Sequence, residues 1–440
     1  MSPAAIGAVM IAVLLVLMVL RLPIFLAMAA VGAVGYLSLG GAAPLLAYLN
    51  RSLISLFVSY DYSIVPLFLL MGHFAGRAGI SADLFTAANA WVGHRRGGLA
   101  MSTVLGCGAF GAICGSSIAT ATTMSAVALP EMRKHGYSAA LASGTLAAGG
   151  TLGILIPPSI VLIIYAILTE QSVVKLFVAA VVPGLLAVVG YLLAIAVYVR
   201  LFPAEGPTGK RLPLAERLAA LRRVVPALVI FAVVFVGIYG GFFTPTEGAA
   251  IGAVVTGGYA VISGRLDFRG FVETSLETAT ATAFIFAIVF GADLFNVALA
   301  LTRVPQQMAA WIGTIALAPY AILTVLIVIY LLLGCVMDSL SMILLTVPIL
   351  FPAFMALDFG LPAEAQALWF GVLTLIVVEV GMITPPVGMN LFVISALARD
   401  IPYATIYRGV SPFIAAEIVR VSLITAFPAL SYWLVRTFYS

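Results

Sequence analysis

Charged side chains are scarce in this chain of 440 residues: only 9% are Asp, Glu, Lys or Arg, whereas 63% are hydrophobic. A water-soluble domain of this length would have too little polar surface to cover its core. Apolar runs long enough to span a bilayer recur from end to end, for example at 4–20, 24–39, 224–239 and 318–333. The sequence therefore predicts an all-α polytopic membrane protein with about 10–12 transmembrane helices.

Histidine and cysteine are equally rare, with three of each. Cys107, Cys114 and Cys335 lie in apolar stretches without the spacing of a metal site or a redox pair, so we interpret them as small buried hydrophobes. The histidines form no HExxH pattern, and a hydrolase would need His73 to act on a distant serine. We therefore expect no enzyme activity and no cofactor. The basic residues are scattered among short loops, which gives no reason to expect nucleic acid as a partner.

The longest polar stretch lies at the middle of the chain, where residues 200–223 contain six basic side chains against Glu205 and Glu216. The positive-inside rule predicts that this linker, 201–223, is cytoplasmic. The first span has no basic residue before it, and Arg21 follows it, so we expect a periplasmic N-terminus and no cleaved signal peptide. Each half would then cross the membrane an odd number of times.

The two halves repeat one another with an offset of about 220 residues. Such self-similarity predicts two repeats, and the odd number of crossings makes them inverted, which is a common basis of alternating access. The matching positions are Pro23 with Pro245, 32–34 with 252–254, Gly72 with Gly291, 91–93 with 311–313, and 157–158 with 385–386.

Each repeat, 1–200 and 224–440, has the same order of parts. Scaffold spans come first, then an amphipathic stretch that is either an interfacial arm or the end of an ordinary span. Two apolar pieces follow, which form either a re-entrant hairpin or one long kinked helix. The parts are the arm at 81–96, the hairpin at 100–130 and a broken helix at 138–169 in the first repeat, and 303–313, 318–352 and 368–398 in the second.

The helix breaks are marked by adjacent prolines, in the run GTLGILIPP at 150–158 and the run VGMITPPVG at 380–388. Two prolines in a row remove two backbone donors, so a helix cannot pass through them. Inside a bilayer such a break is tolerated only where protein covers it or where it lines a polar cavity. Paired breaks in the two halves of a transporter indicate the substrate and ion site.

The candidate site combines these breaks with the two hairpin tips. Freed carbonyls and hydroxyls suit a monovalent cation, and helix N-terminal amides suit an anionic substrate. Sodium fits better than protons, since the first tip, 115–117, has no titratable group. Among acids in apolar stretches, Asp338 is the first candidate, then Glu379, with Asp293 and Glu247 behind; Glu247 could equally be a helix-cap acid. The predicted ion ligands are Gly115, Ser116, Ser117, Gly150, Thr151, Pro157, Pro158, Asp338, Ser339, Gly381, Thr384, Pro385 and Pro386, and the predicted substrate contacts are Ser116, Ser159, Thr384, Gly388 and Asn390.

At these motifs the sequence closely resembles the large membrane subunit of the tripartite ATP-independent periplasmic (TRAP) transporters. The likeness covers nearly the whole chain and rests on nine segments taken together. They are 65–72, 93–100, 114–120, 129–132, 135–137, 150–159, 243–247, 369–371 and 383–388.

The resemblance implies an elevator-type, sodium-driven importer of small organic anions such as C4-dicarboxylates, other carboxylic acids or sialic acids, in the bacterial inner membrane. It implies two partners, a periplasmic substrate-binding protein and a small four-helix membrane subunit, expected as a separate chain. Sodium would be the only metal ion. The residues assigned by resemblance to one sodium site are Ser116, Ser117, Gly150, Thr151, Pro157 and Pro158, and those assigned to the other are Asp338, Ser339, Thr384, Pro385 and Pro386. A stand-alone symporter without a binding protein is the alternative.

Overall fold

The computed structural model of the protein describes residues 2–20, 22–314 and 317–439, so Arg21 lies outside the described residues. In these ranges twenty α-helices follow one another without a β-strand. They are α1 (Pro3–Val19), α2 (Ile24–Gly40), α3 (Ala42–Val58), α4 (Ile64–Arg77), α5 (Ile80–Val92), α6 (Gly98–Cys114), α7 (Ser117–Lys134), α8 (Ala139–Leu155), α9 (Ile160–Thr169), α10 (Val173–Leu201), α11 (Leu214–Tyr239), α12 (Pro245–Ile262), α13 (Phe268–Leu301), α14 (Val304–Thr314), α15 (Pro319–Gly334), α16 (Ser339–Met355), α17 (Ala363–Met382), α18 (Met389–Leu397), α19 (Tyr403–Ala426) and α20 (Ala429–Tyr439).

Five of these helices, α10, α11, α13, α17 and α19, are long and apolar enough to cross a membrane alone. Two bent pairs pass the same test together: α3 joined to residues 61–77 at 56°, and α8 joined to α9 at 42°. The helices α1, α2, α6, α15 and α16 are apolar but shorter. The prediction of a polytopic helical membrane protein is therefore confirmed.

The two halves of the chain pack against each other reciprocally. In one contact α2 lies along α13, and a Cβ added to Gly32 would stand 2.7 Å from the amide nitrogen of Phe295. In the other, α12 lies along α4, and a Cβ on Gly252 would stand 2.4 Å from Met71 Sδ. Gly32 and Gly252 are equivalent positions of the predicted repeat, so each half uses the same glycine to receive a helix of the other half.

The middle of the chain joins the halves through a short connection. The helix α10 ends at Leu201 and α11 begins at Leu214, so residues 214–223 of the predicted linker form the first turns of α11. The connection is held at the base of the first hairpin, because the Gly97 amide donates to the Gly206 carbonyl at 3.0 Å and the Ser138 amide donates to the Glu205 carbonyl at 3.1 Å.

The helix α17 lies at the centre of the part that carries the hairpins. It packs against α9, α10, α15, α16 and α19, and 94% of its apolar window is buried within the protein. The last turns of α17 therefore lie among protein side chains, and the break that follows at 383–388 begins from the interior of the molecule.

Candidate functional site

The first hairpin turns at Gly115 and Ser116, between α6 and α7. Gly115 has φ +65°, in the left-handed region that a residue without a Cβ adopts at no steric cost. Ser116 is the N-cap of α7, and its hydroxyl accepts a hydrogen bond from the Ala119 amide at 3.4 Å. The tip therefore presents the N-terminus of a helix of 18 residues, where the partial positive charge of the helix dipole is concentrated.

The second hairpin turns between α15 and α16, and its N-cap is Asp338. One carboxylate oxygen of Asp338 accepts from the Ser341 amide at 3.1 Å, and the other accepts from the Ser341 hydroxyl. Asp338 therefore already has a structural role, since an N-cap satisfies backbone donors that would otherwise lack partners. Like the first tip, this one presents a helix N-terminus.

Both tips face one cavity of about 560 Å³. The opposite wall is formed by α4 and α13, and the first turns of α9 and α18 and the last turns of α8 and α17 complete the lining. Of the predicted site residues, five line the cavity, and all five belong to the tips: Gly115, Ser116, Ser117, Asp338 and Ser339.

The cavity has few charged groups. Among its described lining residues there is no lysine or arginine, and the ionisable ones besides a cysteine are Asp338 and His73. Nδ1 of His73 lies 2.8 Å from the Thr278 hydroxyl of α13. An anion bound here would therefore be held by helix N-terminal amides and hydroxyls rather than by a basic side chain.

The first helix break lies directly behind the first tip. Pro157, Pro158 and Ser159 are buried, and Ser159 caps α9 by accepting from the Leu162 amide at 3.3 Å. A Cβ on Gly115 would stand 2.8 Å from the Pro158 carbonyl oxygen. The predicted residues of this break therefore support the tip from behind and do not line the cavity.

Thr151 and Gly150 face other helices. The Thr151 hydroxyl donates to the Ala148 carbonyl at 2.7 Å and lies 3.1 Å from the Tyr191 hydroxyl of α10. A Cβ on Gly150 would stand 2.7 Å from the Ala121 Cβ of α7. The Thr151 hydroxyl is therefore hydrogen-bonded within the protein, next to Tyr191 of α10. The absence of a side chain at Gly150 allows α7 and α8 to pack closely.

The second break is more exposed than the first. The carbonyl of Pro386 accepts from the Tyr407 hydroxyl at 2.5 Å, and the Thr384 hydroxyl donates to the Val380 carbonyl at 2.5 Å. The Gly388 amide donates to the Cys335 carbonyl at 3.1 Å, which ties this break to the second tip. Several polar groups that sequence reasoning assigned to ion binding are therefore already hydrogen-bonded within the protein.

Asn390 connects the two repeats. Its side chain is fully buried on α18, where Nδ2 donates to the Ala147 carbonyl of α8 at 3.2 Å. Its Oδ1 accepts from the Ser117 hydroxyl of the first tip at 3.4 Å. The helix after the second break is thus joined to the hairpin and broken helix of the first repeat.

Comparison with known proteins identifies the family of this chain. The sequence profile of the family described as "Tripartite ATP-independent periplasmic transporter, DctM component" matches residues 11–430. The chain belongs to this family. It is therefore a multi-pass membrane transport protein and not an enzyme, as the sequence predicted.

Three relatives illustrate the range of the family. The C4-dicarboxylate TRAP transporter large permease protein DctM of Pseudomonas aeruginosa is 37% identical over 90% of this chain and 92% of that protein. The protein of the same name from Rhodobacter capsulatus is 33% identical over 84% and 86%. The sialic acid TRAP transporter large permease protein SiaM of Vibrio cholerae is 31% identical over 85% and 86%.

One solved structure shows the same fold. The YdaH transporter of Alcanivorax borkumensis superposes with a TM-score of 0.59 over 90% of each chain, at 15% sequence identity. This likeness confirms the predicted class of fold, an all-α polytopic membrane protein.

The sequence prediction for this TRAP permease missed several lining residues of the cavity, on α4, α7 and α13. Thr122 and Thr123 of α7 line the cavity, and little in the sequence favoured selecting them, because a hydroxyl in a membrane helix often bonds only to its own backbone. His73 also lines it, and its place in an apolar span was the signal available. The apolar side chains of α13 carry no comparable signal, because they resemble those of any membrane helix.

The other two acids considered from the sequence have identified partners in the TRAP permease. Glu247 forms a capping box with Thr244 at the start of α12, which is the structural alternative considered from the sequence. Asp293 accepts hydrogen bonds from the hydroxyls of Tyr48 at 2.6 Å and Ser52 at 2.5 Å, which fasten α3 to α13.

Glu379 forms an ion pair that sequence reasoning did not find. Its Oε2 lies 2.9 Å from Nη2 of Arg420, and the same nitrogen lies 2.5 Å from Oε2 of Glu417. A glutamate and an arginine three residues apart in the apolar helix α19 were the available signal.

Proposed function

We propose that the protein imports a small organic anion in symport with sodium, as the large permease subunit of a TRAP transporter in the bacterial inner membrane. A periplasmic substrate-binding protein delivers the substrate, and a small four-helix membrane subunit completes the assembly. The observation that carries this proposal is the single cavity shared by the two hairpin tips, since helix N-termini from both repeats converge on it.

The substrate class follows from the chemistry of the cavity together with the names of the relatives. Amides and hydroxyls at helix N-termini recognise carboxylates without a basic side chain. Relatives at 37% and 33% identity are named for C4-dicarboxylates, and one at 31% for sialic acid. We therefore propose a C4-dicarboxylate as the first substrate to test, ahead of other carboxylic acids and sialic acids.

Sodium coupling rests on the oxygen atoms near the tips. The Thr120 hydroxyl, one turn into α7, is buried without a hydrogen-bond partner in the structure. It lies close to the Ser116 carbonyl, because a Cβ on Gly153 would stand 2.3 Å from the first and 2.6 Å from the second. Uncharged oxygens of this kind suit sodium, and residues 115–117 offer no group that could bind a proton instead.

The second cation would bind at Asp338 and Ser339. The Asp338 carboxylate is the ionisable oxygen group nearest the second tip and lines the same cavity as the substrate. A cation beside it would offset the charge of the carboxylate and of the anionic cargo together. This arrangement makes sodium and substrate bind cooperatively, because each lowers the electrostatic cost of the other.

The movement would be of the elevator type. The helices α2, α4, α12 and α13 form the interlocked scaffold, and the hairpins and broken helices would carry the cavity across it. The basic connection between α10 and α11 would face the cytoplasm, in keeping with the positive-inside rule.

Reconstitution tests the proposal. The permease, a small membrane subunit and a periplasmic substrate-binding protein would be combined in proteoliposomes and given labelled succinate as the probe. We expect uptake only with all three components and an inward sodium gradient. Uptake by the permease alone would favour a stand-alone symporter, and uptake driven by a proton gradient without sodium would contradict sodium coupling.

A further inference from the structure

A second cavity, of about 510 Å³, lies at the base of the first hairpin, and we call it the connection pocket. It shares no lining residue with the cavity between the hairpin tips. Three segments of the chain line it: the end of α5 with Asn89 and Gly93, the turn between α7 and α8 with His135 and Tyr137, and the connection between α10 and α11 with residues 207–210. The proposed transport function uses none of these residues.

Hydrogen bonds hold the walls of the connection pocket together. The Tyr137 hydroxyl donates to the Pro207 carbonyl at 3.1 Å and accepts from the Leu99 amide at 3.0 Å. Arg96 and Thr208 form an isolated antiparallel backbone bridge. The connection is therefore fastened to the base of the first hairpin at several points, and it forms one wall of a defined pocket.

Basic side chains are concentrated at the connection pocket. Lys210 and His135 line it, Arg211 follows Lys210, and Arg95 and Arg96 lie between α5 and α6. The ion pairs formed by the described residues involve neither Lys210 nor any of these three arginines. Their positive charge is therefore not offset by a paired carboxylate.

The two acids nearest in the sequence to these walls already have partners. Oε2 of Glu131 lies 3.6 Å from Nδ1 of His135, and its Oε1 lies 3.8 Å from Nζ of Lys134, so one carboxylate serves two basic groups. The Glu205 carboxylate accepts a hydrogen bond from the Ser138 hydroxyl at 2.8 Å. Neither acid is free to neutralise the basic residues of the connection.

Two buried nitrogen atoms beside the pocket have no hydrogen-bond partner among the described residues. Arg217 of α11 is 8% exposed, and its Nε donates at 3.0 Å to the carbonyl of Leu212, a lining residue, whereas its Nη2 is unpaired. Nδ1 of His94 is also unpaired. Burial, together with the charges of Arg217, Arg211 and Arg95, lowers the pKa of His94 below its ordinary value of 6.5. A bound anion would reduce this repulsion between like charges.

We propose that the connection pocket binds a phosphate group. A phosphate has several acceptor oxygens that point in different directions, and Asn89, Thr208 and Lys210 offer an amide, a hydroxyl and an ammonium group from two walls of the pocket. A volume of about 510 Å³ leaves room for a larger group attached to the phosphate. The phosphate belongs either to the headgroup of an anionic phospholipid, which basic pockets at the cytoplasmic side of a membrane attract, or to a soluble compound.

A bound phosphate would join three parts of the chain. It would lie between Asn89 at the end of α5, His135 at the base of the first hairpin and Lys210 of the connection. A ligand that binds only the folded protein stabilises it, so we expect phosphate to stabilise the junction between the two halves. The inference is independent of the cargo and of sodium, because the pocket contains none of the residues proposed to bind them.

Thermal unfolding of the purified permease in detergent tests the proposal, with inorganic phosphate as the probe and chloride at equal ionic strength and pH as the reference. We expect the Tm of the wild type to rise with phosphate and to reach a plateau. Lys210→Gln removes a cation, and Asn89→Asp keeps the shape of the side chain but adds a negative charge to the pocket. Each variant should weaken the apparent phosphate affinity by about tenfold or more. The exposed Arg222→Gln on α11 is the matched control and should leave the affinity unchanged.

A second measurement distinguishes the two sources of the phosphate. The same proteins would be unfolded in nanodiscs of phosphatidylcholine alone or of phosphatidylcholine mixed with phosphatidylglycerol. Stabilisation by phosphatidylglycerol that is lost in Lys210→Gln and Asn89→Asp would identify a lipid headgroup, whereas such stabilisation by inorganic phosphate alone would identify a soluble compound.

The proposal would be overturned if neither probe stabilised the wild type, or if both pocket variants were stabilised as strongly as the wild type. The Tm of each variant in chloride shows whether it is folded before a probe is added. The measurement requires no substrate, sodium gradient or partner subunit, so its failure is distinguishable from failure of the proposed transport function.

Discussion

Gly381 of α17 crosses Gly334 of α15 so closely that a Cβ added to Gly381 would stand 2.6 Å from the Cα and the carbonyl carbon of Gly334. The first repeat has the same crossing, where a Cβ on Gly111 of α6 would stand 2.6 Å from the Cα of Gly153 in α8. In each half the first hairpin helix touches the broken helix backbone to backbone, just before the tip and the break. These crossings bring both tips to the depth of the breaks.

Gly381→Ala and Gly111→Ala should each destabilise the protein by about 1–3 kcal/mol, because backbone atoms cannot move aside for the added methyl group. Both should also reduce uptake, since the tip is displaced. Thermal unfolding in detergent and uptake in proteoliposomes measure the two effects. Gly76→Ala and Gly258→Ala are the matched controls, because no heavy atom lies within 4 Å of either Cβ position. If all four variants were equally stable, the close backbone contacts at Gly381 and Gly111 would be contradicted.

Asp338→Asn separates the two roles of this residue. Asparagine is as good an N-cap as aspartate, so the variant should fold normally while losing the negative charge proposed to bind sodium. We expect uptake to lose its dependence on the sodium gradient. Asp338→Ala removes the cap as well, and should unfold more easily by about 1 kcal/mol. Unaltered sodium dependence in Asp338→Asn would remove the carboxylate from the ion site.

Asn390→Asp tests the link between the repeats. A carboxylate cannot donate to the Ala147 carbonyl, so the substitution leaves two acceptors facing each other in a buried site. We expect a loss of about 1–3 kcal/mol in stability and a larger loss of uptake. Ser117→Ala keeps the hydrogen bond between Asn390 and Ala147, removes the weaker contacts of the Ser117 hydroxyl with Asn390 at 3.4 Å and Met382 Sδ at 4.0 Å, and should have a smaller effect on stability. The exposed Asn50→Asp is the control, and an equal effect there would contradict the assigned role of Asn390.

The capping box at Thr244 makes a prediction about acid. Hydrogen bonds from the Thr244 amide and hydroxyl hold the pKa of Glu247 below its ordinary value of 4.5. Because the pKa of Glu247 is lower in the folded protein than in the unfolded chain, the ionised carboxylate stabilises the fold at pH values above 4.5. This contribution is lost as the pH falls below 4.5 and through the lowered pKa. Thr244→Ala should lower stability at neutral pH and lower it less in acid, whereas Thr244→Ser should resemble the wild type. Unfolding curves at several pH values measure this difference, and a constant difference would contradict it.

The class of protein and the helix breaks could be predicted from the sequence because both depend on local properties. Composition alone excludes a soluble fold, and adjacent prolines exclude a continuous helix wherever they occur. The equivalence of Gly32 and Gly252 could also be predicted, because an offset of about 220 residues relates the two halves of the sequence. The partners of each polar group could not be predicted, since they come from distant parts of the chain. The Tyr407 hydroxyl donates a hydrogen bond to the Pro386 carbonyl, and Arg420 forms an ion pair with Glu379, which is 41 residues earlier in the sequence.

The most direct experiment tests whether both hairpin tips contact the same bound substrate. Ser116→Cys and Ser339→Cys would be introduced separately into a permease in which Cys107, Cys114 and Cys335 are replaced by alanine. The rate of modification by a small thiol reagent would be measured with and without succinate and sodium, and an exposed Ser411→Cys variant serves as the control. We predict that succinate and sodium together slow modification of both tips and leave the control unchanged. Protection of only one tip, or of neither under conditions that support uptake, would contradict a shared substrate and cation site.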